Sequence, residues 1–161
     1  MRKFWFLAIV ASFVLAQFAT TGSAFAEAKR IDLQGIPKLT ADLPVLDRDL
    51  ALIYVWASWC SDCKAKLKGE IQRFSEENKI SLALVSTDRD SERGRRLLED
   101  VAPGTRSFVD SGRKLIPELK LFSVPSWALG RREPDGRFLI VASGSGGDLR
   151  SITEAIQEAR K

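Results

Sequence analysis

Cys60 and Cys63 are the two cysteines of the chain, and Ser61 and Asp62 separate them. Sulfurs at that spacing can exchange between a dithiol and a disulfide, which makes the pair a two-electron redox switch. The context sharpens this reading. A fully apolar run, 50–55, leads to the pair, and helical periodicity begins at it. At such a strand-to-helix junction the helix N-terminus stabilises a thiolate, and the close spacing lets the second sulfur reach the first. Other chemistries fail on residue type. A Cys/His zinc site needs four ligands, and two Cys with no His cannot complete one within a subunit. Haem attachment requires His directly after the second Cys, where Lys64 stands. With no His there is no Ser/His or Cys/His nucleophile pair. An inert structural disulfide is the remaining alternative. A bridge across two residues adds little loop-closure stabilisation, so redox chemistry is the favoured reading.

The elements around the pair assign its two sulfurs. A helix is predicted from about Cys60 to Glu77, with Cys63, Leu67, Ile71 and Phe74 spaced so that they share one face. Cys63 lies on that buried stripe and Cys60 off it. The expectation is therefore an exposed, attacking Cys60 and a shielded, resolving Cys63.

Strand and helix signals alternate along the rest of the chain. Residues 27–49 are mixed, with Pro37 and Pro44, and are expected to wrap the domain as loop or short strands. The run 50–55 reads as a strand buried on both faces, and 80–86 as a second. Ser91 is the expected cap of a helix through Val101, ended by Ala102-Pro103-Gly104. Phe108 and Val109 mark a short strand, followed by a turn at Asp110-Ser111-Gly112. A short helix is placed at 115–121, where Pro117 is tolerated only in the first turn. Strands at 126–130 and 138–143 flank Glu133-Pro134-Asp135-Gly136, a hairpin signature. The glycine-rich 144–147 reads as a connector, because no Gly-Lys-Ser/Thr follows it. Asp148 caps a last helix with Leu149, Ile152 and Ile156 on its apolar face. The alternation of strands and helices makes the fold class α/β.

The first 26 residues read as a signal peptide, and 27–161 as one domain. Arg2 and Lys3 precede an apolar stretch, 4–18, and Ala24-Phe25-Ala26 fits the small-x-small cleavage rule. The apolar core is shorter than the roughly 20 residues of a membrane span, so cleavage after Ala26 is expected. Membrane contact would arise only through an uncleaved leader. The cysteines are accordingly expected to work in a periplasmic or other extracytoplasmic compartment, where thiols are readily oxidised. Loss of Arg2 and Lys3 lowers the formal charge from +4 to +2, which is no nucleic-acid footprint. Arg93, Arg95 and Arg96 cluster at helical spacing and read as a solvated helix face.

The order of elements, with Trp56-Ala57-Ser58-Trp59-Cys60-Ser61-Asp62-Cys63-Lys64 and, some sixty residues on, Val124-Pro125-Ser126, resembles the thioredoxin superfamily. Within it the chain is most similar to the secreted TlpA/ResA-like thiol-disulfide oxidoreductases. The resemblance runs from about Leu33 to the C-terminus. It implies a three-layer fold, a central mixed sheet with helices on both faces, in which 89–119 is the extra helix and strand that these proteins carry in mid-fold. It also implies that Pro125 is cis, lies against the sulfurs, and leaves the Val124 backbone free to pair with a client peptide. Cys60 and Cys63 are then catalytic, and Trp59, Asp62, Val124 and Pro125 support the site. Trp127, two residues past Pro125, is assigned to the core rather than to a client groove.

Three positions depart from the family pattern. Tyr54 stands where thioredoxins bury an Asp, Lys66 where TlpA/ResA-like proteins often carry a Glu, and Lys68 where many members have a kinking Pro. The usual proton acceptor for the buried thiol is missing, and Asp62 is either a substitute or a first-turn helix carboxylate.

The implied chemistry is thiol-disulfide exchange. Cys60 thiolate attacks a target disulfide, and Cys63 then attacks Cys60 and releases the reduced target. The implied partners are protein clients with disulfides or dithiols and an upstream redox partner. No cofactor is called for. Reductant is the favoured direction, since the family is mostly reducing. A redox-silent peptide-binding module on the same fold is the alternative. A peroxiredoxin-like peroxidase is poorly supported, because Ala57 occupies the position where a hydroxyl is needed.

Overall fold

The computed structural model describes residues 29–39 and 46–161. The expected leader and its cleavage point after Ala26 lie outside the described residues. No helix among those described is long and apolar enough to cross a membrane.

Eleven elements follow one another: β1 (Arg30–Ile31), β2 (Leu50–Trp56), α1 (Ser61–Leu67), α2 (Glu70–Glu77), β3 (Ser81–Ser86), α3 (Ser91–Val101), β4 (Ser107–Val109), α4 (Leu115–Glu118), β5 (Ser126–Arg132), β6 (Phe138–Ser145) and α5 (Leu149–Ala159). The strands form one mixed sheet in the order β1-β6-β5-β2-β3-β4. β2, β3 and β4 run parallel, joined through helices, as parallel neighbours must be. β5 runs antiparallel to β2 and to β6.

β2 is central and buried along its whole length, which is why its sequence is a continuous apolar run instead of an alternation. Its side chains divide between two cores. Leu50, Leu52, Tyr54 and Trp56 join the core that also holds both cysteines and residues from α1, α2, α3 and α5. Ala51, Ile53 and Val55 join a second core with Leu33, Leu46, Leu115 and Leu121. The sheet is thus the middle of three layers, with α4 and the N-terminal segment on the second face. The segment 89–119 supplies α3, the edge strand β4 and α4.

Four expectations need correction. The single helix expected over 60–77 is two helices, broken at Gly69, which takes φ +93°. A left-handed residue cannot continue an α-helix, and glycine adopts that conformation at little steric expense. The apolar stripe crosses the break intact, since Cys63, Leu67, Ile71 and Phe74 are all buried. Burying Ile71 and Phe74 contributes about 1.5–3 kcal/mol each. The cap of α3 is Asp90, not Ser91: its carboxylate accepts from the Glu92 N–H. Both types cap well, so sequence placed the start one residue late. The expected connector at 144–147 begins later, because β6 runs through Ser145. The helix after Asp110 stops at Glu118 and does not reach 121.

The β5–β6 hairpin turns at 133–136 with Gly136 at φ +83°, as its Pro-Asp-Gly signature requires. Asp148 caps α5 by accepting from the Arg150 and Ser151 N–H groups. The arginines of α3 form a solvated, ion-paired face: Arg95 bridges Glu92 and Glu99, and Arg96 bonds Glu92.

Candidate active site

β2 delivers the chain to the end of the sheet, where the turn from Ala57 to Cys60 closes with the Cys60 N–H donating to the Ala57 carbonyl at 3.1 Å. Cys60 is the N-cap of α1, with extended backbone at φ −85° and ψ 111°. Its Sγ accepts from the Cys63 N–H at 3.1 Å. The two sulfurs form a disulfide. An N-capping sulfur receives the free N–H groups and the positive end of the helix, the setting that favours a thiolate once the bond is reduced.

The expected exposure of Cys60 is not what the structure has. Cys60 is 7% exposed and Cys63 0%, so the asymmetry has the expected sign but both residues are buried. Helical periodicity assigns faces only within a helix. Cys60 precedes the first helical residue, and the stripe does not speak to its surroundings.

Around the disulfide the predicted residues fall into two groups. Trp59 is 59% exposed, and Asp62 is an exposed carboxylate in the first turn of α1. Val124 is half-buried and touches both cores. The Val124–Pro125 peptide bond is cis, and Pro125 is buried. Ser126, the next residue, faces Val55 across the β2–β5 ladder, so Pro125 and the cysteines sit at the same end of the sheet. Strand pairing begins only at Ser126, and among the described residues neither Ser123 nor Val124 forms a backbone–backbone hydrogen bond. Phe122, in this same loop, is 87% exposed. Trp127 is buried, faces Tyr54 on β2, and packs in the core with the cysteines, as expected.

The three departures from the family pattern are all accounted for structurally. Tyr54 is fully buried, and its hydroxyl has no hydrogen-bond partner among the described residues. Burial first, then the negative charges of Glu70 and Asp62, push its phenol above its ordinary range. It therefore stays a neutral donor. A Cβ on Gly147 would stand 3.1 Å from the Tyr54 hydroxyl, and also close to Lys66 and Pro125. Lys66 is ion-paired with Glu70, one turn along. Lys68 ends α1, and the bend that a proline would impose is supplied by Gly69.

Sequence reasoning missed Asp88. This side chain is 5% exposed and holds the loop before Cys60. Its carboxylate accepts from the Ser58 N–H at 2.9 and 3.1 Å, from the Ser58 hydroxyl at 2.9 Å and from the Ser86 hydroxyl at 2.8 Å. Gly94 of α3 packs onto it; a Cβ there would lie 3.1 Å from both Asp88 Oδ2 and Ser86 Oγ. The one signal in sequence is an acid two residues past the apolar strand β3.

No family model matches the chain, and no curated protein does. Solved structures match it well. The N-terminal domain of PilB from Neisseria gonorrhoeae is 21% identical, with a TM-score of 0.60 over 78% of this chain and 89% of that one. A thiol-disulfide oxidoreductase from Bacteroides fragilis is 19% identical, with a TM-score of 0.58 over 82% and 98%. A secreted Mycobacterium tuberculosis disulfide oxidoreductase, homologous to E. coli DsbE, is 14% identical, with a TM-score of 0.51 over 70% and 84%. The chain has the thioredoxin-like fold. Its bonded Cys60–Cys63 pair stands where β2 gives way to α1.

Proposed function

We propose that this protein is an exported thiol-disulfide oxidoreductase that exchanges disulfides with protein clients and works as a reductant. The observation that carries the reading is the disulfide between the N-capping Cys60 and the fully buried Cys63. Reduced, Cys60 is the nucleophile: the α1 N-terminus favours its thiolate, and it is the less buried sulfur. It attacks a client disulfide to give a mixed disulfide and a client thiolate. Cys63 then attacks Cys60 Sγ, restores the Cys60–Cys63 bond and releases the second client thiol. A dithiol from an upstream redox partner resets the pair.

The client surface fits an extended peptide. The unpaired backbone at Ser123 and Val124 offers main-chain hydrogen bonds, and Trp59 and Phe122 offer apolar contact beside them. Export is supported by the leader-like composition of 1–26 and by the secreted M. tuberculosis neighbour. The testing experiment is dithiol-dependent reduction of insulin by wild type and by Cys60→Ser. Turnover by wild type and none by the variant is expected. Equal, background-level rates would leave a redox-silent peptide-binding module as the reading.

A further inference from the structure

Asp88 is a carboxylate held inside the protein with no cationic partner. Among the described residues no Lys or Arg stands within ion-pair distance of it. Burying a charge is expensive unless it is compensated. The compensation here comes from neutral donors: the Ser58 N–H, the Ser58 hydroxyl and the Ser86 hydroxyl. Two of those three donors belong to a residue two positions before Cys60. The carboxylate accepts at both of its oxygens, so its negative charge is held in the interior by the same loop that leads to Cys60.

We propose that Asp88 is a positioning residue that fixes the approach to Cys60 and whose negative charge biases the Cys60–Cys63 pair toward the disulfide, making the protein a stronger reductant. This inference rests on the redox reading above. The disulfide is neutral, whereas the reduced pair carries a Cys60 thiolate. A nearby negative charge in a low-dielectric setting destabilises only the latter. The other charged groups on the elements meeting there are Asp62, Lys64 and Lys66 on α1, Arg89 and Asp90 beside Asp88, Glu92, Arg93, Arg95 and Arg96 in the first turns of α3, and Asp110 directly after β4. Of these, Asp110 is the other buried one, and its carboxylate is engaged by the Lys114 and Leu115 N–H groups.

The test is a glutathione equilibrium on the full mature chain, read by mass after alkylation. Two glutathione thiols reduce the disulfide to the dithiol and leave as glutathione disulfide, so the ratio reports the pair alone. Asp88→Asn should shift the constant about tenfold toward the reduced protein, roughly 30 mV for a two-electron couple. It should also lower the pH at which iodoacetamide labelling of Cys60 rises. Ser58→Ala keeps the charge but removes one of its donors, leaving the field less compensated, and should shift the constant severalfold toward the disulfide. Opposite shifts support the proposal. No shift, or shifts in one direction for both variants, would overturn it by reducing Asp88 to a structural clamp. Should Asp88→Asn not fold, Ser58→Ala decides alone by the sign of its shift. A wild-type pair that never equilibrates with glutathione would instead sink the redox reading itself.

Discussion

Asp88 and Tyr54 are both buried at the disulfide end of the sheet, yet every oxygen of the Asp88 carboxylate is hydrogen-bonded and the Tyr54 hydroxyl is bonded to nothing. Asp88 lies on the β3 flank and ties the end of β2, through Ser58, to Ser86. Tyr54 lies on the β5 and α5 flank, under Gly147 and beside Lys66 and Pro125. A satisfied buried network fixes one geometry, while an unsatisfied buried group carries its desolvation penalty with no bond to offset it. One flank of the motif is therefore a fully hydrogen-bonded frame, and the other buries a hydroxyl without a partner among the described residues.

The largest effect expected is chemical, and it sets the scale. Cys60→Ser should lose insulin reduction by at least about a hundredfold, whereas Cys63→Ser should accumulate mixed disulfides on non-reducing gels. In the reduced wild type, iodoacetamide should label Cys60 well before Cys63; equal rates would cancel the assignment of attacking and resolving sulfurs. Next come the two flanks. Asp88→Ala strands the Ser58 N–H and two hydroxyls in the interior, at about 1–3 kcal/mol for each group left unsatisfied. A loss of roughly 3 kcal/mol in urea unfolding is expected. Tyr54→Phe removes a hydroxyl that bonds nothing and should change stability by less than about 1 kcal/mol. If Tyr54→Phe proved the more damaging of the two, the contrast between the flanks would be wrong.

A finer probe is Gly147→Ala. The added methyl presses on the Tyr54 hydroxyl at 3.1 Å, and overpacking of this kind is worth about 1–3 kcal/mol. Placed in the Tyr54→Phe background the same substitution should be better tolerated, a coupling that a double-mutant cycle reads directly. The smallest effect belongs to the exposed face of α3. Arg95 and Arg96 hold the Glu92 carboxyl down to about 2. Their contribution is complete above the ordinary glutamate range and is lost as pH falls toward that value. The group is exposed and screened, so Glu92→Gln should barely move the melting midpoint at neutral pH.

The framework of the site was legible because it is written locally. The apolar run of β2, the stripe from Cys63 to Phe74, the Pro-Asp-Gly hairpin and the Asp148 cap each depend on neighbours in sequence. The break at Gly69 was hidden because the stripe continues across it; the apolar spacing of four, four and three holds on either side of a bend. The burial of Cys60 was illegible because an N-cap is on no helical face. Asp88 was illegible for another reason: its partner Ser58 is thirty residues away, and sequence carries no sign of which loop a lone acid will meet. Tyr54 could be singled out as a departure from a pattern, but its empty hydroxyl is a property of packing.

The disulfide joins the N-cap of α1 to a residue three positions further on, and this bears on how the molecule survives its own chemistry. It ties no strand to another strand, nor the sheet to any distant helix. Opening it releases a local staple and cuts no covalent link between strands or between the sheet and a helix. The bond that is made and broken in each cycle is not among those that keep the architecture standing, so turnover need not pass through a loosened protein.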